Sequence, residues 1–368
     1  MYWEEELAIF RYLSVITVII ASLVIVSVSA QSEPFKLKGK AKPVKMYFNV
    51  KNDGGWVQAH DEARIKMENA LGIKIPYVEK IPEVASEIRP AVDKFVKRGY
   101  NIIMASAFGY SDTLKELAEK YPNVAFVNAA GTTNNGKNLM SYYGRTYESQ
   151  YLCGMVAGAM TKTGKIGFVA AVPIGLVNWT VNGYLMGARQ MNPNVTLTVV
   201  YTGGWYDPVK ERAAAEALVE KGIDVIGQHV DTPTPQIVAQ EKGIYSTGHH
   251  RDMSEFAKSS VCSSVWIWDR FLTPTVKQIM AGKWEPSKYG AFEGLGSMTD
   301  IVMTDVVPKD IAKKVMAERQ AIIDGKNIWE GPIVDQAGTV RVAAGKSASV
   351  GELWGMDYLI KGVIGTTK

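Results

Sequence analysis

The chain has 368 residues, of which 47% are hydrophobic and 21% are charged, and its formal net charge is +4 at pH 7. This length and composition predict a globular protein of two domains with a substantial buried core. Lysine and arginine are interspersed with aspartate and glutamate and form no run of five or more like charges, which argues against a nucleic-acid-binding surface.

The N-terminus carries the pattern of a targeting signal. Arg11 precedes an apolar run from Tyr12 to Val28, and Val28-Ser29-Ala30 offers the small residues that a signal peptidase accepts. The run has about 17 residues, which is the short limit for a membrane span. We therefore expect residues 1–30 to be a signal peptide or an N-terminal anchor, and the rest of the chain to be extracytoplasmic, in the periplasm or at the cell surface. Residues 31–43 are polar and rich in lysine and predict a flexible stalk.

Apolar strands alternate with amphipathic helices from Val44 onward. In the first half, the patterns predict strands at 44–50, 74–78, 101–105 and 124–128 and helices at 57–71, 83–98 and 111–120. In the second half they predict helices at 147–160, 178–191, 209–221 and 234–242 and strands at 165–170, 196–201, 225–228 and 244–247. This rhythm is typical of parallel sheets with helices on both faces, and its restart at Tyr147 predicts a second, similar lobe.

Two of the loops that follow predicted strands contain a Gly-Gly-Trp element. These are Asp53-Gly54-Gly55-Trp56 in the first half and Gly203-Gly204-Trp205 in the second. Ligands of open parallel sheets bind beyond the carboxyl ends of the strands, and paired glycines let the backbone turn tightly there. Two indoles from facing lobes suit a flat ligand stacked between them, although either ring could instead fill the core of its own lobe.

Polar residues also follow the predicted strands. Asn128 ends the fourth strand, and its planar amide offers a donor and an acceptor that match the edge of adenine. The same asparagine could equally form a turn before Gly131. Asp231 could cap the helix that follows it or reach the cleft.

Three of the four histidines, His229, His249 and His250, follow predicted strands and have Asp252 nearby, which makes them the candidates for a metal site. Neighbouring residues of an extended segment point to opposite faces, however, so His249 and His250 are expected to diverge. A histidine that hydrogen-bonds a ligand is the better interpretation, and we expect neither a metal nor a cofactor.

Neither catalysis nor a zinc site is indicated by the sequence motifs. The sequence contains no GxSxG motif, no P-loop and no GxGxxG after the first strand, so an enzyme is not expected. Cys153 and Cys262 have no metal-binding spacing and are either two buried thiols or one disulfide.

Seven short motifs occur in order between Val44 and Gly331. They are DGGW at 53–56, FGYSD at 108–112, YESQYLCG at 147–154, KTGKIGFV at 162–169, NGY at 182–184 leading to GAR at 187–189, YDPVK at 206–210 and GIDVI at 222–226. In this order and spacing they resemble the basic membrane protein family of ABC-transporter substrate-binding proteins, which includes the purine nucleoside receptors.

The resemblance implies an α/β, type I periplasmic-binding-protein fold, in which two doubly wound parallel-sheet lobes are joined by a hinge. We expect the first lobe at 44–145 with a return segment at about 258–285, and the second lobe at 146–257 with a return segment at about 286–335. The C-terminal segment at 336–368 has no predicted place.

In the nucleoside-binding members of the family two aromatic rings sandwich the base, and by position these are Trp56 and Trp205. An acidic residue that reads the base falls near Asn128, and two polar residues that hold the ribose fall at His250 and Trp266. Loss of both ribose contacts favours a free purine base over a nucleoside. Asparagine in place of aspartate favours adenine over hypoxanthine or guanine, whose N1–H needs an acceptor.

Five further residues are weaker candidates for the cleft, namely Asn52, Asp53, Tyr147, Glu148 and Asn182. The resemblance implies a monomer that closes around its ligand and then docks on the permease of an ABC importer. Three alternatives stay open: a ligand-binding sensor, a sugar-binding receptor of the same fold, and a nucleoside hydrolase or deaminase with a histidine-bound metal.

Overall fold

The computed structural model describes residues 34–367, so the predicted signal peptide or anchor at 1–30 lies outside the described residues. Among the described residues, none of the helices combines the length and the hydrophobicity needed to cross a bilayer.

Residues 34–367 form fifteen strands and ten α-helices. The strands are β1 Pro43–Met46, β2 Tyr77–Val78, β3 Ile102–Ala105, β4 Ala125–Ala129, β5 Leu139–Gly144, β6 Lys165–Ala170, β7 Thr196–Tyr201, β8 Val225–His229, β9 Tyr245–Gly248, β10 Ser260–Trp266, β11 Ala291–Glu293, β12 Thr299–Met303, β13 Ile333–Val334, β14 Val340–Val342 and β15 Val363–Ile364. The α-helices are α1 Trp56–Leu71, α2 Ala85–Lys97, α3 Ser111–Lys120, α4 Thr146–Met160, α5 Gly175–Met191, α6 Pro208–Glu220, α7 Thr234–Glu241, α8 Trp268–Met280, α9 Lys309–Ile323 and α10 Val350–Trp354.

The first lobe is built on a six-stranded sheet in the order β11-β5-β4-β3-β1-β2, and all of its strand pairs are parallel. Its central strands are continuous apolar runs, and β3 and β4 are buried along their whole length. Such runs are expected where helices cover both faces of a parallel sheet.

The second lobe is built on a seven-stranded sheet in the order β12-β10-β9-β8-β6-β7-β15. Its strands are parallel except for β12, which runs antiparallel to β10. The strand order reverses around β6 in this sheet and around β1 and β3 in the other. The predicted fold class, with two doubly wound parallel-sheet lobes, is confirmed.

The chain passes between the two sheets three times, after β5, after β10 and after β11. The segment that returns to the first lobe is predicted to begin at about residue 258, but it begins only after β10. The reason is that β10 pairs with β9 and β12 in the second sheet. The segment that returns to the first lobe therefore comprises α8, which packs on α1, and β11, which pairs with β5.

The end of the predicted flexible stalk packs on the body of the protein. The ring of Phe35 packs edge-on against Trp284 with centroids 5.7 Å apart, and its backbone N–H donates to the Trp284 carbonyl. Further along, the backbone N–H of Lys42 donates to the side chain of Asn101. From Phe35 onward the segment is thus attached to the body of the protein.

The C-terminal segment, which the sequence left unplaced, folds back onto the second lobe. Strand β15 adds to the edge of the sheet beside β7. Asn182 on α5 fixes the segment with its side-chain amide, which donates to the carbonyl of Tyr358 and accepts from the N–H of Ile360. Cys153 on α4 and Cys262 on β10 are buried free thiols with their Sγ atoms 3.4 Å apart.

Candidate ligand-binding cleft

A cavity lies between the two lobes, at the carboxyl ends of their strands. Its walls are mostly apolar, with two acidic and two histidine side chains. The lining residues are Phe48, Trp56, Glu83, Ala107, Phe108, Ala130, Tyr143, Leu176, Trp205, His229, Asp231 and His250. Most of them stand in loops or at strand ends that the sequence marks as ligand-binding positions.

Trp56 forms the wall of the cavity on the side of the first lobe. It is the first residue of α1, it is only 7% exposed, and its indole N–H donates to the carbonyl of Ser106 at 2.9 Å. Its ring packs edge-to-face against Trp266 and Trp268, with centroids 5.5 and 5.7 Å away. The indole is therefore held in one orientation before any ligand arrives.

Trp205 lines the same cavity from the second lobe. Its side chain is half-buried, and its carbonyl accepts a hydrogen bond from the N–H of Asp231 at 2.8 Å. Its nearest ring is His229, with centroids 6.3 Å apart. Trp205 has fewer aromatic neighbours than Trp56, and its half-buried side chain packs against the hydrophobic core of the second lobe.

The two lobes touch each other at the first Gly-Gly-Trp element. A Cβ placed on Gly55 would lie 2.2 Å from the carbonyl oxygen of Asp231, and one on Gly54 would lie 2.8 Å from Pro233. Across the same gap, Arg251 of the second lobe pairs with Glu62 on α1 at 2.7 Å. The lobes are thus arranged as in a closed binding protein, with the cavity between them.

A chain of contacts connects Trp266, His250 and Asp231 beside the cavity. The indole N–H of Trp266 donates to Nδ1 of His250 at 2.9 Å, so the proton of the neutral imidazole is on Nε2. That nitrogen lies 3.1 Å from Oδ1 of Asp231. Burial lowers the pKa of His250 to about 3, which keeps the ring neutral near pH 7.

His229, His249 and His250 form a buried cluster, contrary to the expected divergence of His249 and His250. The ring centroids of His249 and His250 are 4.0 Å apart, and those of His229 and His249 are 4.6 Å apart. The reason is the backbone of His250, whose φ of +74° breaks the alternation of an extended strand. Neither ring nitrogen of His229 has a hydrogen-bond partner among the described residues, and only His229 and His250 line the cavity.

Asn128 does not reach the cavity, although the sequence predicts it to read the ligand. Its side-chain amide donates to the carbonyl of Ala107 at 3.0 Å and accepts from the N–H of the same residue at 3.4 Å. The side chain is fully buried and joins the ends of two neighbouring strands. Asn128 is therefore placed to fix the loop that follows β3.

Asp53 caps a helix and does not line the cavity. Its carboxylate accepts from the backbone N–H groups of Gly55, Val57 and Gln58 at 2.9 to 3.0 Å, at the N-terminus of α1. Burial, followed by the charge of Asp231, raises its pKa to about 6. Asn52 beside it is exposed and stands outside the cavity.

The other weaker candidates have structural contacts. Tyr147 lies in an aromatic cluster with Trp179 and Trp329. Glu148 accepts from the N–H of Leu295 at 3.0 Å, at the third passage between the lobes. Neither of these two residues lines the cavity, and nor do Asn182 and Trp266.

Several lining residues had no signal strong enough to single them out in the sequence. Glu83 stands in the loop before α2, and its Oε1 accepts from the N–H of Gly109 at 2.7 Å. Tyr143 is the last residue but one of β5, and Leu176 is the second residue of the crossover helix α5. Their loops follow or flank predicted strands, but only the folded arrangement tells which of these side chains face the cavity.

The acidic groups on the cavity wall restrict its ligands. Two carboxylates, Glu83 and Asp231, line it together with two histidines, and neither lysine nor arginine is among the lining residues. Such a wall suits a neutral ligand with N–H donors and disfavours a phosphate or carboxylate. Within residues 34–367, His, Cys, Asp and Glu form no group of three that could hold a metal ion.

One family profile and two relatives match most of the chain. Residues 44–333 match the sequence profile of the family described as ABC transporter substrate-binding protein PnrA-like. A purine-binding protein of Brucella abortus is 32% identical over 88% of this chain and 93% of its own length. A putative ABC transporter glucose-binding protein of Haloferax volcanii is 33% identical over 78% of this chain and 73% of its own length.

The solved structures support the fold. A solute-binding protein of an ABC transporter system from Aeropyrum pernix superimposes with a TM-score of 0.66 at 17% identity. The match covers 77% of this chain and 92% of that protein.

Proposed function

Because the chain belongs to the PnrA-like family of ABC transporter substrate-binding proteins, we propose that it binds a purine base or purine nucleoside between its lobes and delivers it to the permease of an ABC importer. The observation that carries this proposal is the position of Trp56 and Trp205, which stand on opposite lobes and line one cavity. A planar heterocycle stacked between two indoles would gain roughly 1–3 kcal/mol from each ring.

Closure of the lobes explains how binding becomes a signal to the permease. The ligand stacks on one lobe, and the second lobe completes the cavity, so the ligand favours the closed state by the contacts it gains there. The contact of Gly55 with the Asp231 carbonyl and the Arg251–Glu62 pair belong to this closed state. We propose that the protein works as a monomer, performs no catalysis and leaves the cytoplasm by means of residues 1–30.

A free base is favoured over a nucleoside. His250 and Trp266, which stand where the family resemblance expects ribose ligands, are both buried and hydrogen-bond each other. The indole N–H of Trp266 and Nδ1 of His250 are therefore engaged before a sugar could use them. The sequence favours adenine because of Asn128. The amide of Asn128 is bonded to Ala107 and does not line the cavity, so Asn128 does not select among the purines.

A sugar is the second candidate ligand. The relative from Haloferax volcanii is named as a putative glucose-binding protein, and aromatic walls such as Trp56 and Trp205 also stack on sugar rings. A sugar needs many hydrogen-bonding partners around its hydroxyl groups.

The test is to identify what the purified protein carries and binds. Mass spectrometry of small molecules released on denaturation, followed by calorimetric titration with purine bases, nucleosides and glucose, separates the candidates. We expect a purine in the released fraction and binding of purine bases in the titration. Release and binding of glucose or a pentose, with no binding of any purine, would contradict the proposal.

A further inference from the structure

We infer that Cys153 and Cys262 form a disulfide bond that joins two of the second-lobe segments adjoining the passages between the lobes. The two residues lie on α4 and β10, both are buried, and their Sγ atoms are 3.4 Å apart. The inference rests on the proposed function in one point. It needs the chain to leave the cytoplasm for a compartment where disulfides form and persist.

The positions of the two sulfur atoms suit a covalent bond. Bonded sulfurs are about 2.05 Å apart, so the two atoms have to approach each other by about 1.4 Å. Small rotations about the two Cα–Cβ bonds achieve this, because α4 and β10 already pack on each other. Within residues 34–367, no third His, Cys, Asp or Glu joins the pair in a group that could hold a metal ion.

The cysteine pair lies beside a hydrogen-bond network that connects all three passages between the lobes. Of the second-lobe segments at these passages, α4 follows the first, β10 precedes the second and β12 follows the third. The hydroxyl groups of Ser149 on α4 and Ser264 on β10 share a hydrogen bond at 2.7 Å. Thr299, the first residue of β12, donates to Ser149 at 2.8 Å. All three side chains are buried.

Cys153 and Cys262 stand on the same faces of α4 and β10 as this network. Cys153 follows Ser149 by four residues, about one helical turn, and Cys262 precedes Ser264 by two residues of a strand. A disulfide here joins α4 to β10 covalently, one turn behind the hydroxyl groups. The second-lobe ends of the passages are then held as one unit, and lobe closure has to bend the passages themselves.

The bond would also close a long loop. Cys153 and Cys262 are 109 positions apart, and the chain between them contains β6, β7, β8 and β9 of the second sheet. A cross-link restricts the unfolded chain more strongly when the loop it closes is longer. Reduction of the bond should therefore lower the thermal stability of the protein.

The bond has to form before α4 and β10 pack. In the folded protein both thiols are at most 1% exposed, and burial raises the pKa of Cys153 well above its usual value, so the reactive thiolate is scarce. In the unfolded chain, one cysteine thiolate attacks the disulfide of an extracytoplasmic thiol–disulfide oxidoreductase, and one thiol of that catalyst is released. The second cysteine then displaces the other sulfur of the catalyst. The two cysteines lose two protons and two electrons, and the catalyst disulfide becomes a dithiol.

The experiment counts free thiols in full-length protein recovered from the extracytoplasmic fraction of cells that express it with residues 1–30. The protein is denatured in an alkylating reagent, with and without prior reduction, and its mass is measured. Because the chain has two cysteines, we expect no alkyl group without reduction and two after it. Cys262→Ala is the matched control and should take up one alkyl group under both conditions.

Thermal unfolding tests the stabilising role of the bond. Reduction should lower the Tm of the wild type by about 3 °C or more. The double variant Cys153→Ala, Cys262→Ala should keep the same Tm with and without reductant. A wild-type Tm that stays unchanged after the mass shows both thiols free would overturn the stabilising role.

The outcomes separate this inference from the proposed function. Extracytoplasmic wild-type protein that takes up two alkyl groups without reduction would overturn this inference alone, whether or not the variants fold. Protein found only in the cytoplasmic fraction would overturn the proposed export and this inference with it. Extracytoplasmic protein that contains the disulfide but binds no purine would support this inference and overturn the proposed ligand.

Discussion

The two Gly-Gly-Trp elements share a sequence but differ in their surroundings. At the first, a Cβ on Gly55 would meet the carbonyl oxygen of Asp231 at 2.2 Å, and Trp56 is only 7% exposed. At the second, a Cβ on Gly204 would meet nothing within 4 Å, and Trp205 is half-buried. The same three residue types therefore serve an interface between lobes in one case and an open turn in the other.

Because of this difference, we expect the two elements to have different roles. The first places an indole and a lobe-to-lobe contact side by side on the N-terminus of α1, so ligand stacking and closure involve the same residues. The second offers a half-buried aromatic surface beside the backbone hydrogen bond between Asp231 and Trp205. We expect changes in the first element to affect closure, and changes in the second to affect stacking alone.

The largest expected effect comes from a methyl group at the lobe-to-lobe contact. Gly55→Ala puts a Cβ against backbone atoms of Asp231, 2.2 Å from its carbonyl oxygen. Because the clash is between lobes, opening the cleft relieves it. We expect the affinity for a purine to fall by about a hundredfold or more, about 2.7 kcal/mol, measured by calorimetry.

Gly204→Ala is the matched control, since it adds the same methyl group before the other tryptophan. Its affinity should stay within about twofold of the wild type, because the added methyl group meets no neighbour. Small-angle scattering should find Gly55→Ala more open than the wild type in the presence of ligand. Equal affinities of the two variants would remove the distinction between the elements.

The two tryptophans should differ in stability more than in affinity. Trp56→Ala and Trp205→Ala each remove one stacking ring, and each should weaken purine binding at least about tenfold. Trp56 is buried among aromatic rings and bonded to Ser106, so its loss should also cost about 3–5 kcal/mol of unfolding free energy. Trp205 is half-buried and its loss should cost far less.

Urea unfolding and calorimetry on both variants check this pair of expectations. Trp205→Phe keeps an aromatic face and should recover most of the lost affinity. Unchanged affinity in both alanine variants would count against stacking, and equal destabilisation would count against the difference in packing.

Much of the fold could be predicted from the sequence, because its signals are local. The alternation of apolar strands and amphipathic helices predicts two parallel α/β lobes, and the two Gly-Gly-Trp elements predict that an indole stands at each cleft wall. The sequence does not predict in the same way which segments cross from one lobe to the other. Strand β10 joins the second sheet through pairing with β9 and β12, and nothing within its own sequence specifies those partners.

The polar part of the cleft was predicted less well, because hydrogen-bond partners come from distant positions. Asn128 ends a strand, as expected, but its amide bonds the neighbouring strand end at Ala107. His249 and His250 were expected to diverge, and a single positive φ at His250 brings them together. Asn182 was a candidate for the cleft and instead holds the C-terminal segment through Ile360, 178 residues away.

A crystal structure with a bound purine base tests the central claim most directly. We expect the base to lie between Trp56 and Trp205, with its ring atoms about 3.5–4 Å from both indoles and with its polar edge towards Asp231. A purine bound outside this cavity, or inside it with either indole turned away, would contradict the account.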